Sequence, residues 1–216
     1  RIVTTGTASG NGAGTGANHL ETSVVKLAAD VDGTGTGGLF VTEANAITID
    51  ALNDIGVNRV GADAAIIAGS PNDTSLSDVD SGAHVVVEAT AGTITVAEGD
   101  SDDTGVNAAA NILLETGGTF DIILDADVAS GSGHITVLAS DSVDQNADIS
   151  TTGTGTIDVE ATAGAVHMED GTTTSGTDNI RYKAETTMAL GGITTTADVS
   201  LLAESITDSG TTDTDV

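Results

Sequence analysis

Along most of the chain, large apolar residues alternate with other residues in a short phrase that returns at regular intervals. The phrase reads large apolar, any residue, large apolar, any residue, alanine. Between residues 133 and 203 its copies begin at Ile135, Ile157, Ile180 and Val199. An alternation of period two is typical of a strand with one buried face. A strand that returns about every 22 residues without an intervening helix is typical of a coiled repeat. We therefore predict an all-β protein, a right-handed parallel β-helix with one turn per repeat.

Earlier copies of the phrase extend this prediction toward the amino terminus. They begin at Val25, Ile47, Val85 and Ile112. Together the copies predict about eight turns in a single β-solenoid domain over residues 22–216. The step from Ile47 to Val85 is too long for one turn, so we expect a degraded copy at residues 64–68 and a loop over residues 70–82. A loop alone is the alternative for this stretch.

Residues 1–21 contain mostly Gly, Thr, Ala and Asn, and Ile2-Val3 is their clearest apolar pair. We expect a flexible or linking arm here, and an irregular first turn is the alternative. Further on, shorter strands such as residues 94–96 and 166–168 follow each phrase. An antiparallel β-sandwich also has short strands and frequent turns, but it gives no reason for a phrase that repeats in phase.

Stacked turns place equivalent residues of successive copies about 4.8 Å apart. If the phrases stack in register, Asp158 lies beside Arg181 and Glu160 lies beside Lys183. Four outward positions hold large apolar residues on one face: Val86, Leu113, Leu138 and Leu202. They are either isolated exposed residues or a strip that another segment covers.

Composition excludes several classes of function. The chain of 216 residues carries 5 Lys and Arg against 33 Asp and Glu, for a net charge of −28. Binding to nucleic acid or to an anionic membrane requires a cationic surface, so we predict neither. The chain contains no cysteine, so a disulfide scaffold is excluded. The charge implies strong self-repulsion unless cations screen it, which favours a salty or calcium-containing exterior.

Carboxylates are so frequent that no pair of them indicates an acid–base couple, and we predict no enzyme activity. The four histidines are scattered, although His84 and His134 each precede a phrase and are expected near the same corner. Hard cations are a better match, because oxygen-rich loops suit calcium. Two turn segments carry closely spaced carboxylates, and they supply our candidate metal ligands for Ca²⁺: Asp30, Asp32, Asp100, Asp102 and Asp103. Solvated acidic loops without an ion are the alternative.

The phrase, with links such as Ala197-Asp198-Val199-Ser200-Leu201-Leu202-Ala203-Glu204-Ser205-Ile206, resembles the repeats of filamentous-haemagglutinin-like adhesins and other giant bacterial surface proteins. The resemblance implies a secreted, elongated β-helix that acts as a stalk, adhesin or surface fibre. We accordingly predict an extracellular structural protein that associates with itself, head to tail, into a filament or sheath. The alternative is an adhesin or binding-module segment that recognises a glycan, ice or another surface.

Overall fold

The chain forms a β-solenoid that coils through three parallel sheets. This computed structural model describes residues 1–69, 71–210 and 215–216. Every regular element among these residues is a β-strand, and none of them forms a helix long and apolar enough to cross a bilayer. The predicted parallel β-helix architecture is confirmed, and the chain does not form an antiparallel sandwich.

The three sheets run along the length of the solenoid, and each turn contributes one strand to each sheet, except that the first turn contributes two strands to sheet 2. Sheet 1 contains eight strands: β1 (Ile2–Thr4), β5 (Ala29–Val31), β12 (Val79–Ser81), β15 (Thr104–Ala108), β18 (Asp127–Ser130), β21 (Ile149–Thr151), β24 (Thr173–Ser175) and β27 (Gly192–Thr194). Sheet 3 also contains eight: β4 (Lys26–Leu27), β7 (Ile47–Ile49), β14 (Ile94–Val96), β17 (Ile122–Leu124), β20 (Val143–Gln145), β23 (Val166–Met168), β26 (Thr187–Leu190) and β29 (Ser205–Asp208).

Sheet 2 carries the phrase and contains nine strands. Eight of them follow one another along the axis: β2 (Gly12–Ala13), β6 (Gly38–Glu43), β13 (His84–Ala89), β16 (Ile112–Thr116), β19 (Ile135–Ala139), β22 (Ile157–Ala161), β25 (Ile180–Ala184) and β28 (Val199–Leu202). The ninth, β3 (Leu20–Thr22), pairs with β6 beside β2.

The phrase residues form continuous columns inside the solenoid. From β13 to β28 the first positions pair in register from Val85 through Ile112 to Val199. The first and third positions from β13 to β25 are at most 2% exposed. Burial of each large aliphatic side chain contributes roughly 1.5–3 kcal/mol, so these columns account for much of the stability of the fold.

The first copies of the phrase do not belong to these columns. The Ile47 copy lies in sheet 3, where Ile47 pairs with Ile94. The strand of sheet 2 in that turn is β6, and Leu39 pairs with Val85. Our alignment of the Val25 and Ile47 copies with Val85 was therefore wrong. All three sheets bury one face of a short strand, so the same alternation occurs in each of them.

The long step before Val85 is an excursion from the solenoid, and it contains no additional turn in its described residues. The chain leaves at Leu52 and returns at Leu76, whose backbones bond to each other. Between them lie two antiparallel pairs: β8 (Ile55–Gly56) with β11 (Asn72–Asp73), and β9 (Arg59–Val60) with β10 (Ile66–Ile67).

Our prediction of a degraded turn at residues 64–68 was therefore wrong, because Ile66 and Ile67 are 70% and 50% exposed and pair within the excursion. The loop predicted over residues 70–82 is replaced by β11, the return at Leu76 and β12. Its first residue, position 70, lies outside the described residues.

Residues 1–21, where we expected a flexible or linking arm, lie against the solenoid. Strand β1 pairs with β5, β2 pairs with β6, and β3 begins within this segment. Glu43 fixes the last part of this turn: its buried carboxylate accepts hydrogen bonds from the Thr22 hydroxyl at 2.7 Å and the Val24 amide at 3.0 Å.

A polar network interrupts the apolar core between sheets 1, 2 and 3. The Tyr182 hydroxyl donates to Gln145 Oε1 at 2.7 Å, Gln145 Nε2 donates to Thr174 Oγ1 at 3.0 Å, and Thr174 Oγ1 lies 2.5 Å from the Tyr182 hydroxyl. All three side chains are fully buried. Burial raises the pKa of Tyr182, so the phenol stays protonated and the ring of hydrogen bonds is satisfied.

The predicted charge pairs occur on the outer face of sheet 2. Arg181 donates to Asp158 at 2.5 Å and to Glu160 at 2.8 Å, and Lys183 donates to Glu160 at 2.6 Å. These bonds, that from Lys183 first, hold the pKa of Glu160 below its usual range. The register predicted from the phrase is thus confirmed for β22 and β25.

Replacing Tyr182 by Phe tests the buried network. We expect Y182F to destabilise the protein by about 1–3 kcal/mol, because Gln145 Oε1 loses its hydrogen-bond donor at a fully buried position. The combined variant Y182F/Q145L/T174V should recover part of this loss, since all three polar groups are removed together. Urea unfolding followed by circular dichroism measures both; an unfolding midpoint unchanged in Y182F would contradict the network.

Charge reversal tests the register of β22 and β25. Both E160K and K183E should lower stability, each by about 1 kcal/mol or less, because they lie at a partly exposed surface. The double variant should lose less than the sum of the two, since it restores one opposite-charge pair. Thermal unfolding at low ionic strength gives the coupling energy, and strictly additive losses would mean that the two residues are not neighbours.

Candidate cation site

Aspartates at the corner between sheets 3 and 1 have a regular structural role. Asp127 Oδ1 accepts a hydrogen bond from the Asp148 amide at 2.8 Å, and Asp148 Oδ1 accepts one from the Thr173 amide at 2.7 Å. Asp127 begins β18, and Asp148 immediately precedes β21, the strand of sheet 1 in the following turn. The carboxylate of each of these two corner aspartates therefore accepts a hydrogen bond from a backbone amide of the next turn.

Asp78 occupies the same corner but lacks this donor. It immediately precedes β12, as Asp148 precedes β21. In the next turn the register shifts between Thr104 and Val106, and Gly105 stands one position before the partner of Val79. Asp78 is 6% exposed, and its Oδ1 accepts no hydrogen bond. The irregularity in β15 thus leaves one buried carboxylate oxygen without a protein partner.

The loop that causes this irregularity is acidic and tightly folded. Glu98 Oε1 accepts hydrogen bonds from the amides of Asp100, at 2.7 Å, and of Ser101. Asp102 Oδ1 accepts one from the Thr104 amide at 2.9 Å. Ser101 and Asp103 have φ angles of 88° and 67°, a left-handed conformation that is uncommon outside glycine. The loop is thereby fixed with Asp100 and Asp102 on the side of Asp78.

Three carboxylates converge where this loop meets the preceding turn. One oxygen from each of Asp78, Asp100 and Asp102 lies within 4.8 Å of the others. The Ser77 hydroxyl donates to Asp100 Oδ2 at 2.7 Å. Gly99 permits the close approach, because a Cβ added there would lie 2.4 Å from Asp78 Oδ1. Among the described residues this is the one group of three potential ligands so close together.

The electrostatics of the cluster are unfavourable without a cation. Burial raises the pKa of Asp78 to about 6, with smaller contributions from the charges of Asp100, Glu98 and Asp102. In the neighbouring loop, backbone hydrogen bonds, that of Ser101 first, hold the pKa of Glu98 below its usual range. Glu98 therefore stays ionised close to a carboxylate, that of Asp78, which resists ionisation.

The structure brings together two of the five predicted metal ligands. Asp100 and Asp102 join the cluster, whereas Asp103 lines a separate acidic groove with Asp125 and Asp127. Asp30 lies in β5 opposite Asp80, and Asp32 is exposed just after that strand.

Sequence reasoning missed Asp78. The available signal was its place directly before a strand of sheet 1, which can be recognised only once the register of the turns is known.

A second feature of the surface lies on the outer face of sheet 2. The residue just before each of these phrases accepts a hydrogen bond, through its side chain, from a backbone amide of the following turn. His84 Nδ1 accepts one from the Asn111 amide, and Asn111 Oδ1 accepts one from the His134 amide. His84 and His134 thus share a corner, as expected. Beside them Val86 and Leu113, which are partly exposed, form part of an apolar groove of about 560 Å³ with Phe40.

The raised pKa of Asp78 predicts a specific pH dependence in calcium-free buffer. As pH rises from about 4 to about 6, the unfolded chain releases this proton before the folded chain does, so Asp78 lowers stability across that window. In EDTA, D78N should therefore melt higher than the wild type at about pH 7.5, and this advantage should shrink toward about pH 4. A difference in melting temperature between D78N and the wild type that stays the same at every pH would contradict the raised pKa of Asp78.

No family model, no curated protein and no solved structure matches the chain. The likeness to filamentous-haemagglutinin repeats therefore stays a prediction from the repeat, and the solenoid architecture by itself is compatible with many roles.

Proposed function

We propose that this protein is an extracellular structural protein whose solenoids associate end to end into a fibre. The observation that carries the proposal is the state of the two ends of sheets 2 and 3. Interior strands pair on both sides, whereas β4 at one end, and β28 and β29 at the other, pair on one side among the described residues. Such edges offer unpaired backbone donors and acceptors to another chain.

The two ends match in register. Continuing the columns of sheet 3 by one turn places Val25 of a second copy over Ile206, and continuing those of sheet 2 places Leu20 over Leu201. Val25 is 79% exposed and Ile206 is 44% exposed. Both would become buried in a continuous solenoid, which supplies an apolar contribution to association.

The ends also differ in charge. The first turn carries Arg1 and Lys26, two of the five cationic residues of the chain. The last turn carries Asp198, Glu204 and Asp208, and no Lys or Arg follows Lys183. A second copy that meets the acidic end with its own first turn is favoured over one that meets it with another acidic end. This favours head-to-tail association, which continues into a filament instead of closing as a dimer.

Sheet 1 is less open at its far end. The Ile193 amide of β27 donates to the carbonyl of Asp215 at 2.8 Å, so the chain itself occupies part of this edge. Association through sheets 2 and 3 leaves that contact in place. In the last turn, Leu202 of sheet 2 and Ile206 of sheet 3 are exposed, whereas Ile193 of sheet 1 is buried. This difference also favours association through sheets 2 and 3.

An extracellular setting is consistent with the surface of the molecule. A net charge of −28 opposes the approach of two copies. Divalent cations and salt screen this repulsion, and at 0.1 M ionic strength exposed charges more than about 10 Å apart interact only weakly. Fibre formation is therefore expected to depend on cations, as in the medium around a cell.

Complementary end variants test the association. V25D alters the first turn and I206D the last, and neither residue is buried, so folding should be unaffected. Each variant alone should sediment as a monomer in calcium-containing buffer, whereas the wild type forms filaments visible by electron microscopy. An equal mixture of the two should form dimers and stop there, because only one unaltered joint exists.

The matched control is V60D, in the exposed hairpin of the excursion, where Val60 is 73% exposed. It should assemble like the wild type. A wild-type protein that stays monomeric as isolated rods, or V25D and I206D proteins that form normal filaments, would contradict the proposal.

A second candidate function is the binding of a glycan or another surface as an adhesin segment. The observation that favours it is the groove beside Phe40, where Val86 and Leu113 are partly exposed, since apolar side chains can pack against the apolar face of a sugar. Binding on a glycan array by the wild type, and its loss in L113D, would support this role over a purely structural one.

A further inference from the structure

We propose that Asp78, Asp100 and Asp102 bind one calcium ion, which joins the loop at residues 98–103 to the preceding turn. This site is independent of end-to-end association, because it lies in the middle turns and not at either end of the solenoid. Asp78 stands where the chain re-enters the solenoid after the excursion, two residues beyond Leu76. The ion would therefore hold together the two segments that interrupt the regular repeat, namely the end of the excursion and the loop at residues 98–103.

The geometry suits a single hard cation. Calcium binds oxygen ligands at about 2.3–2.6 Å, so two oxygens on one ion lie at most about 5 Å apart. The three carboxylate oxygens are within 4.8 Å of one another and hence within reach of one ion. All three ligands are carboxylates, which favours calcium or magnesium over the softer metals that histidine and cysteine select.

The buried oxygen of Asp78 is the independent sign of a ligand. Asp78 Oδ1 is inaccessible and accepts no hydrogen bond, although it faces the acidic loop. Elsewhere at this corner Asp127 and Asp148 each accept an amide from the next turn. A cation between Asp78 and the loop would replace that missing donor and would also neutralise the repulsion among the three acids.

The surrounding residues prepare the site. The backbone of Asp78 is fixed, because its carbonyl accepts from the Ala29 amide at 2.8 Å. Glu98 holds the loop through its hydrogen bonds to the amides of Asp100 and Ser101. Gly99 leaves the space into which the Asp78 carboxylate reaches. Binding therefore requires little rearrangement of the backbone.

Isothermal titration with CaCl₂ at about 0.15 M ionic strength tests the proposal, because this salt screens diffuse binding to the acidic surface. The wild type should bind one Ca²⁺ per chain. We expect D78N and D102N to weaken that binding by about tenfold or more, since even residues outside a coordination sphere contribute that much. G99A should weaken it as well, because its Cβ would displace Asp78.

The matched control is D144N, which removes one carboxylate from the outer face of β20 and should bind calcium like the wild type. Melting curves in EDTA confirm that each variant is folded, and calcium should raise the melting temperature of the wild type and D144N but not of D78N. Equal binding by all five proteins would show diffuse counterions only and would overturn the proposal. Binding of Mg²⁺ in preference to Ca²⁺ would overturn the assignment to calcium.

Discussion

The structure depends on the parallel, in-register pairing of each strand with its counterpart one turn away. This pairing satisfies the backbone and at the same time places like side chains above one another. A column such as Val85, Ile112 and Ile135 fills the interior without large aromatic rings, because each aliphatic side chain meets a neighbour of the same shape. That is how a chain with 1% aromatic residues still builds a continuous core.

The same constraint makes the interruptions of the repeat informative. Where the turns are regular, a corner aspartate accepts an amide from the next turn, as Asp127 does. Where an acidic loop shifts the register at β15, that donor is displaced and Asp78 keeps a buried oxygen without a partner. A local change in the ladder thus converts a structural position into a candidate ligand.

Much of the architecture could be predicted from the sequence, because period-two alternation and an in-phase phrase follow directly from strand geometry and stacking. The cross-strand neighbours of Arg181 and Lys183 could also be predicted, because each of the two lies the same number of residues after its acidic partner. The assignment of a strand to a sheet could not. Ile47 begins β7 and Leu39 is the second residue of β6. Both are buried, and their local patterns do not reveal which of them stacks on Val85.

The candidate site shows a similar limit. Asp100 and Asp102 stand out because they are close together in the sequence, but Asp78 belongs to the preceding turn and looks like an ordinary loop acid. Its importance depends on burial and on a missing donor, and both are properties of the folded register. The excursion was misassigned for a related reason, since Ile66 and Ile67 are apolar but pair in an exposed hairpin.

Cysteine cross-linking would test the stacking register most directly, because the natural chain contains no cysteine. Thr42 and Glu88 are direct partners in sheet 2, and the Thr42 hydroxyl donates to Glu88 Oε2 at 3.2 Å. Adjacent strands lie about 4.8 Å apart, a separation that a disulfide can bridge. The account predicts that T42C/E88C forms an intramolecular disulfide on mild oxidation and that D50C/E88C does not. Efficient cross-linking of D50C/E88C, with none in T42C/E88C, would contradict it.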